Sequence, residues 1–437
     1  MKFLKIGCIS LALCTLFASA MPRLLIKIPT RARPQKFFQT LDKYYENLSG
    51  KTRYQFLITC DIDDASMNTP EVINKLKQYP NLTFSFGLNA SKVAAINRDL
   101  HKDLTFDILL VAGDDLIPWC KDYDKIIADT MLESFPDFDG VLNFDDGFVG
   151  GVLNTYPIIG KKYFDRFGYV YYPEYESLFC NDELTTISRM LAKEKIVNQT
   201  IIKHLHPIHR QTEWDDLYRR NEGCHAHDQQ LFIQRQKQHF GLNLQEIDEQ
   251  MPKIWSILIC TLDEREAQFN SIYSNLNEQI KKLGLEDKIE VLFYRDNRQV
   301  SVGYKRNELL NRSKGKYICF CDDDDEVHSN YIGMIYEQLL KDPDCVNLIG
   351  IITHDGRNPR YFTHSIQYNH YYEHNNVYFR PPNHLNPIRR SIAIQFLFPE
   401  KNFGEDTDWA MKIANSKLLK TEEIISEPYY FYKCVSK

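Results

Sequence analysis

The chain has 437 residues, enough for two domains, and its 43% hydrophobic and 26% charged residues are the balance of a globular protein rather than a disordered one. With 53 basic and 59 acidic side chains its net charge is -6, which excludes the basic excess of a typical nucleic-acid binder. The 11 cysteines are odd in number and never spaced C-x-x-C, and several lie inside apolar runs (Cys60, Cys260, Cys319, Cys321), so they read as buried free thiols, not a disulfide framework or zinc site.

The first stretch, MKFLKIGCISLALCTLFASA, has the charged, apolar and small-residue order of a secretory signal. Its apolar run is short for a membrane span. Met21 follows at once and offers a competing start. The signal points to export and the free thiols to a reducing compartment, so localisation stays open. Residues 1–20 are set aside from the fold.

From there the same plan appears twice. The apolar run in RLLIKIPTRARP ends at Thr30, and a helical stretch follows from Phe37 to Asn47. A second strand, YQFLITCDIDD, ends in Asp61. The segment NASKVAAINRDL reads as a helix, and a third strand, FDILLVAGDD, ends in Asp114 and Asp115. After the polar stretch GLNLQEIDEQMPK the order starts again. KIWSILICTLDER is a strand ending at Thr261, with a helix from Ala267 to Leu283. IEVLFYRDN ends in Asp296, GYKRNELLN is a helix carrying Lys305, Arg306 and Asn307, and KYICFCDDDDEV ends in Asp322 to Asp325. Alternating strands and helices predict an α/β fold with two mostly parallel central sheets, in domains spanning 21–245 and 252–437. In such sheets ligands bind beyond the carboxyl ends of the strands. That edge gathers Thr30, Asp61 and Asp115 in one half and Thr261, Asp296 and Asp324 in the other.

These motifs resemble nucleotide-sugar glycosyltransferases of the GT-A fold, a Rossmann-like nucleotide-diphospho-sugar transferase architecture. The second half, from ILICTLDER through GYKRN and CDDDDE to FPEKNFGEDTDWAMKI, resembles the inverting family 2. The first half resembles the same fold through PTRARP, ITCDIDD, VAGDD and the late FCNDE. The resemblance implies two tandem GT-A domains that move a sugar from a nucleotide-sugar donor, UDP-sugars favoured, to a hydroxyl on a glycan, a lipid-linked molecule or a protein. Breaking the sugar–phosphate bond charges the diphosphate, and a divalent cation, Mn2+ or Mg2+, bound through oxygen ligands stabilises it.

By that resemblance Asp324 is the metal ligand, with Asp322 near the ribose or a metal-bound water. Thr261, Glu264, Arg265 and Asp296 contact the nucleoside. Lys305 and Arg306 face the diphosphate. Asn383 and His384 offer hydrogen bonds to a hydroxyl-rich ligand, and His384 is alternatively a metal contact. Asp406, at the start of a helix, is the general base, and in-line attack implies inversion. Phe403 and Trp409 flank it as walls of a sugar pocket. In the first half Thr30, Arg33, Asp61 and Asp114 fall at donor positions, Asp115 and His206 at metal positions, and Asp182 at the base position. The tail SEPYYFYKCVSK lacks the late histidine often found in the family, which implies fewer protein ligands to the metal. Each acid also has a plainer reading: a solvated acidic turn for Asp322–Asp325, a turn residue for Asp296, a helix cap for Glu405 and Asp406. The first half is either a second transferase or a degenerate copy. A scaffold that binds carbohydrate without catalysis is the non-enzymatic alternative. A nucleotidyltransferase would want a glycine-rich phosphate loop, which KIPTRARP lacks.

Overall fold

The computed structural model describes residues 21–434; the signal-like segment 1–20 lies outside the described residues. Two compact units form, one from residues 21–173 and 195–219, the other from 174–194 and 220–434. They do not coincide with the stretches 21–245 and 252–437. Buried charges explain why 174–194 and 220–251 fall in the second unit. Arg235 grips Glu183 through Nε (2.7 Å) and Nη2 (2.6 Å). Asp248 pairs with Arg389. The fully buried Arg390 donates to the carbonyl of Arg189 at 3.1 Å, where a helix ends. Removing either partner of such a pair leaves an uncompensated buried charge, so these segments are bound where their partners are.

The first unit holds β1 (Arg23–Thr30), β2 (Arg53–Asp61), β3 (Leu82–Gly87), β4 (Ile108–Val111), β5 (Leu116–Pro118), β6 (Val141–Asp145), β7 (Ile158–Gly160), β8 (Glu194–Thr200) and β9 (Ile202–His204). Seven of them form one sheet in the order β3-β2-β1-β4-β7-β6-β8, with β1 to β4 parallel and β7 antiparallel to β4. Ile26, Ile28, Ile58 and Leu110 are fully buried, as continuous apolar strands covered on both faces must be. Helix Pro34–Glu46 lays Phe37, Leu41 and Tyr44 on this core. β5 and β9 form a separate antiparallel ribbon that pairs Leu116 with His204.

The second unit repeats the start of this order. Its strands are β10 (Lys253–Leu262), β11 (Ile289–Asp296), β12 (Gly315–Phe320), β13 (Glu326–Val327), β14 (Cys345–Val346), β15 (Leu348–His354), β16 (Arg357–His364), β17 (Tyr372–His374), β18 (Val377–Arg380), β19 (Ile388–Arg389), β20 (Glu422–Glu423) and β21 (Tyr430–Cys434). One sheet runs β11-β10-β12-β19-β14-β20, with β10 parallel to both β11 and β12. Thr261, Asp296 and Asp322 therefore sit at or just past one edge. A second sheet, β13-β21-β15-β16-β18-β17, has no counterpart in the sequence reading. β13 pairs with β21 just after the four aspartates. The predicted helices are present as Glu266–Leu283 and Val302–Arg312. Among the described residues no helix is long and apolar enough to cross a membrane.

Candidate active site

Helix Val302–Arg312 starts at Ser301, whose hydroxyl accepts from the Tyr304 amide at 3.1 Å. It buries Lys305, Arg306 and Asn307, three polar residues that sequence periodicity alone would place in water. Each is buried because it has partners. Asn307 closes a two-bond clasp with the backbone of Phe398, both bonds 2.9 Å. Lys305 pairs with Asp296 and donates to the Thr261 carbonyl at 3.1 Å, tying the ends of β10 and β11 together. Burial opposes charge on Asp296, but Lys305 holds its pKa below the usual carboxylate range. Arg306 reaches Asp322 at 3.3 Å and Glu405 at 3.2 Å.

The four aspartates are not equivalent. Asp323 is buried and fixed by the Thr261 hydroxyl (2.7 Å) and Arg265 (2.6 Å). Asp325 is buried and accepts from the Tyr430 hydroxyl (2.8 Å) and the Lys433 amide (2.9 Å), both on β21. These two anchor the loop. Burial, reinforced by Asp322, pushes the Asp325 pKa up. Asp322 and Asp324 keep open carboxylates, with side-chain exposures of 24% and 36%. Burial works against a charge on Asp322, yet Arg306 and then His384 hold its pKa well below the normal range. Burial raises that of Asp324, with Arg265 opposing and Asp322 and Asp323 adding repulsion.

Helix Glu405–Ser416 follows Gly404, whose φ of 72° is the left-handed turn a side chain would strain. Glu405 points inward to Arg306, and Asp406 stays open at 28% side-chain exposure. His384 joins the acidic ends. Its Nε2 is 3.4 Å from Asp322 Oδ2 and its Nδ1 is 3.6 Å from Asp406 Oδ2. One buried imidazole thus spans the strand-end acid and the helix acid. A turn holds it in place: Asn383 Oδ1 accepts from the Leu385 amide and Asn386 Oδ1 from the Asn383 amide, each 3.0 Å.

Several expected contacts are placed otherwise. Glu264 is exposed and pairs with Arg298, and Arg265 pairs with Asp323 and Asp324. Asn383 has its side-chain oxygen in the turn. Trp409 is core rather than pocket wall: it stacks on Phe398 at 4.6 Å and donates to the Phe396 carbonyl at 2.9 Å. Phe403 is 77% exposed. Tyr371 and Tyr430, which line this site, carry no local motif; both come from the second sheet or the loop beside it.

In the first unit Arg31 pairs with Asp61 (2.5 Å) and Asp63 (2.7 Å), and Asn89 also bonds Asp61. Thr30 is buried with its hydroxyl unpartnered. Arg33 donates to Asp114 at 3.0 Å, grips Asp215 through two bonds of 2.7 and 2.6 Å, and lies 4.0 Å from the Tyr218 ring centroid. Burial and then Asp115 raise the Asp114 pKa, with Arg33 opposing. The Tyr218 hydroxyl donates to Asp115 at 3.0 Å. His204, not His206, faces Asp115: its Nε2 is 3.8 Å from Asp115 and its Nδ1 3.6 Å from Asp146. The β5–β9 register puts it there, and the run HLHPIH gives no way to choose between the two rings. His206 Nδ1 accepts from the Ile208 amide at 3.3 Å, and its ring lies 4.9 Å from that of Tyr218. Asp182 belongs to the second unit, in the first turn of helix Cys180–Met190, where burial raises its pKa, and its neighbour Glu183 is held by Arg235.

Among the described residues no group of three or more His, Cys, Asp or Glu is arranged to hold a metal ion. The open pair Asp322 and Asp324 nevertheless fits a hard cation of the Mg2+ type, which takes one or two protein carboxylates and completes its shell with phosphate oxygens and water.

Residues 271–400 match the family model for glycosyl transferase family 2, a span that includes Arg306, the four aspartates and His384. The matched span lies wholly within the second unit. No protein of curated function matches the chain. Among solved structures, it is similar to a mannosyltransferase from Pyrobaculum calidifontis in complex with GDP-Man and Mn2+, at 12% identity over 48% of this chain and 70% of that one, with a TM-score of 0.37. It is also similar to S. aureus TarS 1-349 in complex with UDP-GlcNAc, at 14% identity over 42% of this chain and 59% of that one, with a TM-score of 0.30.

Proposed function

We propose that the second unit transfers a sugar from a nucleotide-sugar, UDP-linked by preference, to a hydroxyl acceptor with inversion at the anomeric carbon, and that Asp406 is its general base. The observation that carries this reading is the placement of His384 between Asp322 and Asp406, at 3.4 and 3.6 Å. On this reading the acid that faces the leaving group and the acid that serves as base stand on either side of one imidazole.

Each side chain then has a task. Asp296, held charged by Lys305, accepts from a base N–H at the end of β11. Thr261 and Arg265 keep Asp323 in place, so that Asp322 and Asp324 present their oxygens beyond β12. There the two carboxylates would hold a divalent cation with the diphosphate, which would supply Lewis-acid stabilisation of the leaving group. Asp406 takes the acceptor proton as the acceptor oxygen bonds to the anomeric carbon and the sugar–phosphate bond breaks toward the diphosphate. Glu405 is the tether: its ion pair with Arg306 fixes the helix start and the angle of Asp406.

For the first unit we favour the degenerate copy. Asp61, Asp114 and Asp115 each meet a cation or hydroxyl of their own chain, and Asp182 lies in the other unit. The test is nucleotide release and sugar transfer by the full chain with Mn2+ or Mg2+, across UDP- and GDP-sugars. Asp406→Asn should lose at least about 100-fold in kcat, as loss of a general acid–base group does, Asp324→Asn should lose activity with its cation ligand, and chelation should abolish turnover until metal is restored. Asp115→Asn should leave the rate unchanged. Full activity in Asp406→Asn or in chelated protein rejects the reading.

A further inference from the structure

In the first unit β2 has β1 on one side and β3 on the other. Its counterpart in the second unit, β11, pairs with β10 along all eight residues without a bulge, and among the described residues no strand lies on its outer side. Lys288, just before β11, turns its carbonyl to β10, where the Ile254 and Trp255 amides donate to it at 2.7 and 3.2 Å. By alternation the N–H and C=O of Val291, Phe293 and Arg295 face outward, and the Arg312 guanidinium reaches the Phe293 carbonyl there at 3.5 Å. Folded proteins blunt such an edge with lysine, proline, a bulge or a cover, because its open groups template pairing with another chain. The strand IEVLFYRD has no lysine, proline or bulge. It carries interface side chains instead, aromatic and arginine. Phe293 is 39% exposed, with its ring 4.9 Å from that of Phe269 and 5.8 Å from that of Tyr273, and the Arg295 guanidinium 6.0 Å away. A groove of about 590 Å³ beside the strand is lined by Phe293, Tyr294, Arg295, Asp296 and Arg312, among others.

We infer that this edge is a dimer interface: two copies of the chain join β11 to β11, antiparallel, about a two-fold axis normal to the sheet at Leu292. Such an axis keeps every side chain on its own face, so it must pass through a residue. Centred on Leu292, it sets Val291 against the partner's Phe293, and the two exchange both main-chain bonds. Leu292 meets its own copy, Glu290 the partner's Tyr294, and Asp296 the partner's Lys288, an exposed cation. Moving the centre to Phe293 would set Glu290 against the partner's Asp296. Moving it to Val291 would set Asp296 against the partner's Glu286. Like charges directly opposite one another are destabilising, so charge selects the Leu292 register. The edge is then complementary to itself, as an isologous two-fold interface requires, and a second copy supplies for β11 the neighbour that β3 supplies for β2.

The full chain is sedimented over a concentration series from nanomolar to high micromolar. Wild type should pass from monomer to dimer. Phe293→Lys removes both Val291–Phe293 pairs and puts a charge on the edge, and should weaken self-association about tenfold or more, with circular dichroism confirming that it is folded. Leu292→Cys tests the register without depending on that variant. Opposed residues of a non-hydrogen-bonded antiparallel pair stand about 4.5 Å apart at Cα, within the span of a disulfide. Under mild oxidation Leu292→Cys should give a covalent dimer whose peptide map joins the new thiol to its own copy. Phe293→Cys, whose two copies stand out of register with each other, should give none, and neither should wild type. A wild type that stays monomeric throughout the series overturns the inference. So does a folded Phe293→Lys that dimerises like wild type, or a covalent dimer from Phe293→Cys in place of Leu292→Cys. A bridge from the new thiol to Cys8 or Cys14 of the same chain also overturns it, by giving the edge to residues 1–20 instead of a second copy.

Discussion

Arg306→Gln is the change that most directly tests how the second site is held together. The guanidinium is buried, stands 3.3 Å from Asp322 and 3.2 Å from Glu405, and lies 4.9 Å from the Phe320 ring centroid. Glutamine keeps some bulk and hydrogen bonding but removes the cation, leaving two acids without their shared counter-charge. Breaking a buried pair from one side costs about 3–5 kcal/mol. In a unit of this size that lowers the melting temperature by about 6–20 °C. The loss has a pH signature. In the wild type Asp322 titrates below its unfolded value, so its contribution is complete above the ordinary aspartate range and fades only in stronger acid. Without Arg306, burial is opposed by His384 alone, and the folded pKa moves above the unfolded one. The variant then loses stability as pH rises past the carboxylate range, by up to about 1.4 kcal/mol per pH unit for one proton. Thermal or urea unfolding at roughly pH 5 and pH 7 should show the smaller deficit at the lower pH. Adding Glu405→Gln should recover part of the loss by removing one stranded acid. A variant as stable as wild type, or a deficit equal at both pH values, refutes this account of Arg306.

Gly303→Ala should destabilise the second unit and lower transfer together, because an added Cβ would sit 1.9 Å from the Pro399 carbonyl and push helix Val302–Arg312 off the Asn307–Phe398 clasp; calorimetry and donor turnover check both. His364 is buried with Nδ1 2.9 Å from Asn386 Oδ1, and burial depresses its pKa to about 3. The unfolded chain takes up that proton and the folded chain does not, so stability falls as pH drops below about 6.5, by about 2 kcal/mol at pH 5; His364→Gln should flatten that slope in urea titrations. Asp296→Asn should weaken UDP binding about tenfold in calorimetry, the worth of one charge-assisted bond; unchanged affinity would remove Asp296 from the nucleoside site.

The parallel core was legible because its strands are largely apolar and several are closed by acids, and because the strand–helix order recurs. The second sheet was not. Its strands RNPRYFTH and VYFR are half exposed and interrupted by Asn, Arg and His, so neither period stands out. The open acids of the second site were visible as residue types, but their division of labour was not. Nothing in DDDD separates Asp323, pinned by Thr261 and Arg265, from Asp324 one residue on. That distinction arises where β10 and β21 end relative to β12. Tyr371 and Tyr430 escaped for the same reason, since each reaches the site through long-range pairing. An acid pair in the first turn of a helix, such as Asp182 and Glu183, looks alike in sequence whether it is a base or a structural anchor, and it is the long-range Arg235–Glu183 and Arg390–Arg189 contacts that tie this helix to the second unit.

The two units begin alike and part at one interaction. In each, an arginine after the first strand reaches acids that follow a parallel neighbour of that strand, β4 or β12: Arg33 to Asp114 at 3.0 Å, Arg265 to Asp323 at 2.6 Å. Arg33 is then used up, with Asp215 on its other edge and Tyr218 across its face, while the Tyr218 hydroxyl closes on Asp115 beside His204. A cation arriving at Asp115 would have to break that buried set, at the cost of leaving charges unpaired. Arg265 makes its second contact with Asp324 at 3.2 Å, and both side chains are more than a third exposed. An ion pair so placed contributes about 1 kcal/mol or less. On the proposed reading, Asp324 would exchange that weak pair for a divalent cation held with the diphosphate. On the proposed reading, the end of β12 is left open for chemistry and the end of β4 is closed, because of what the arginine after the first strand of each unit has left to bind.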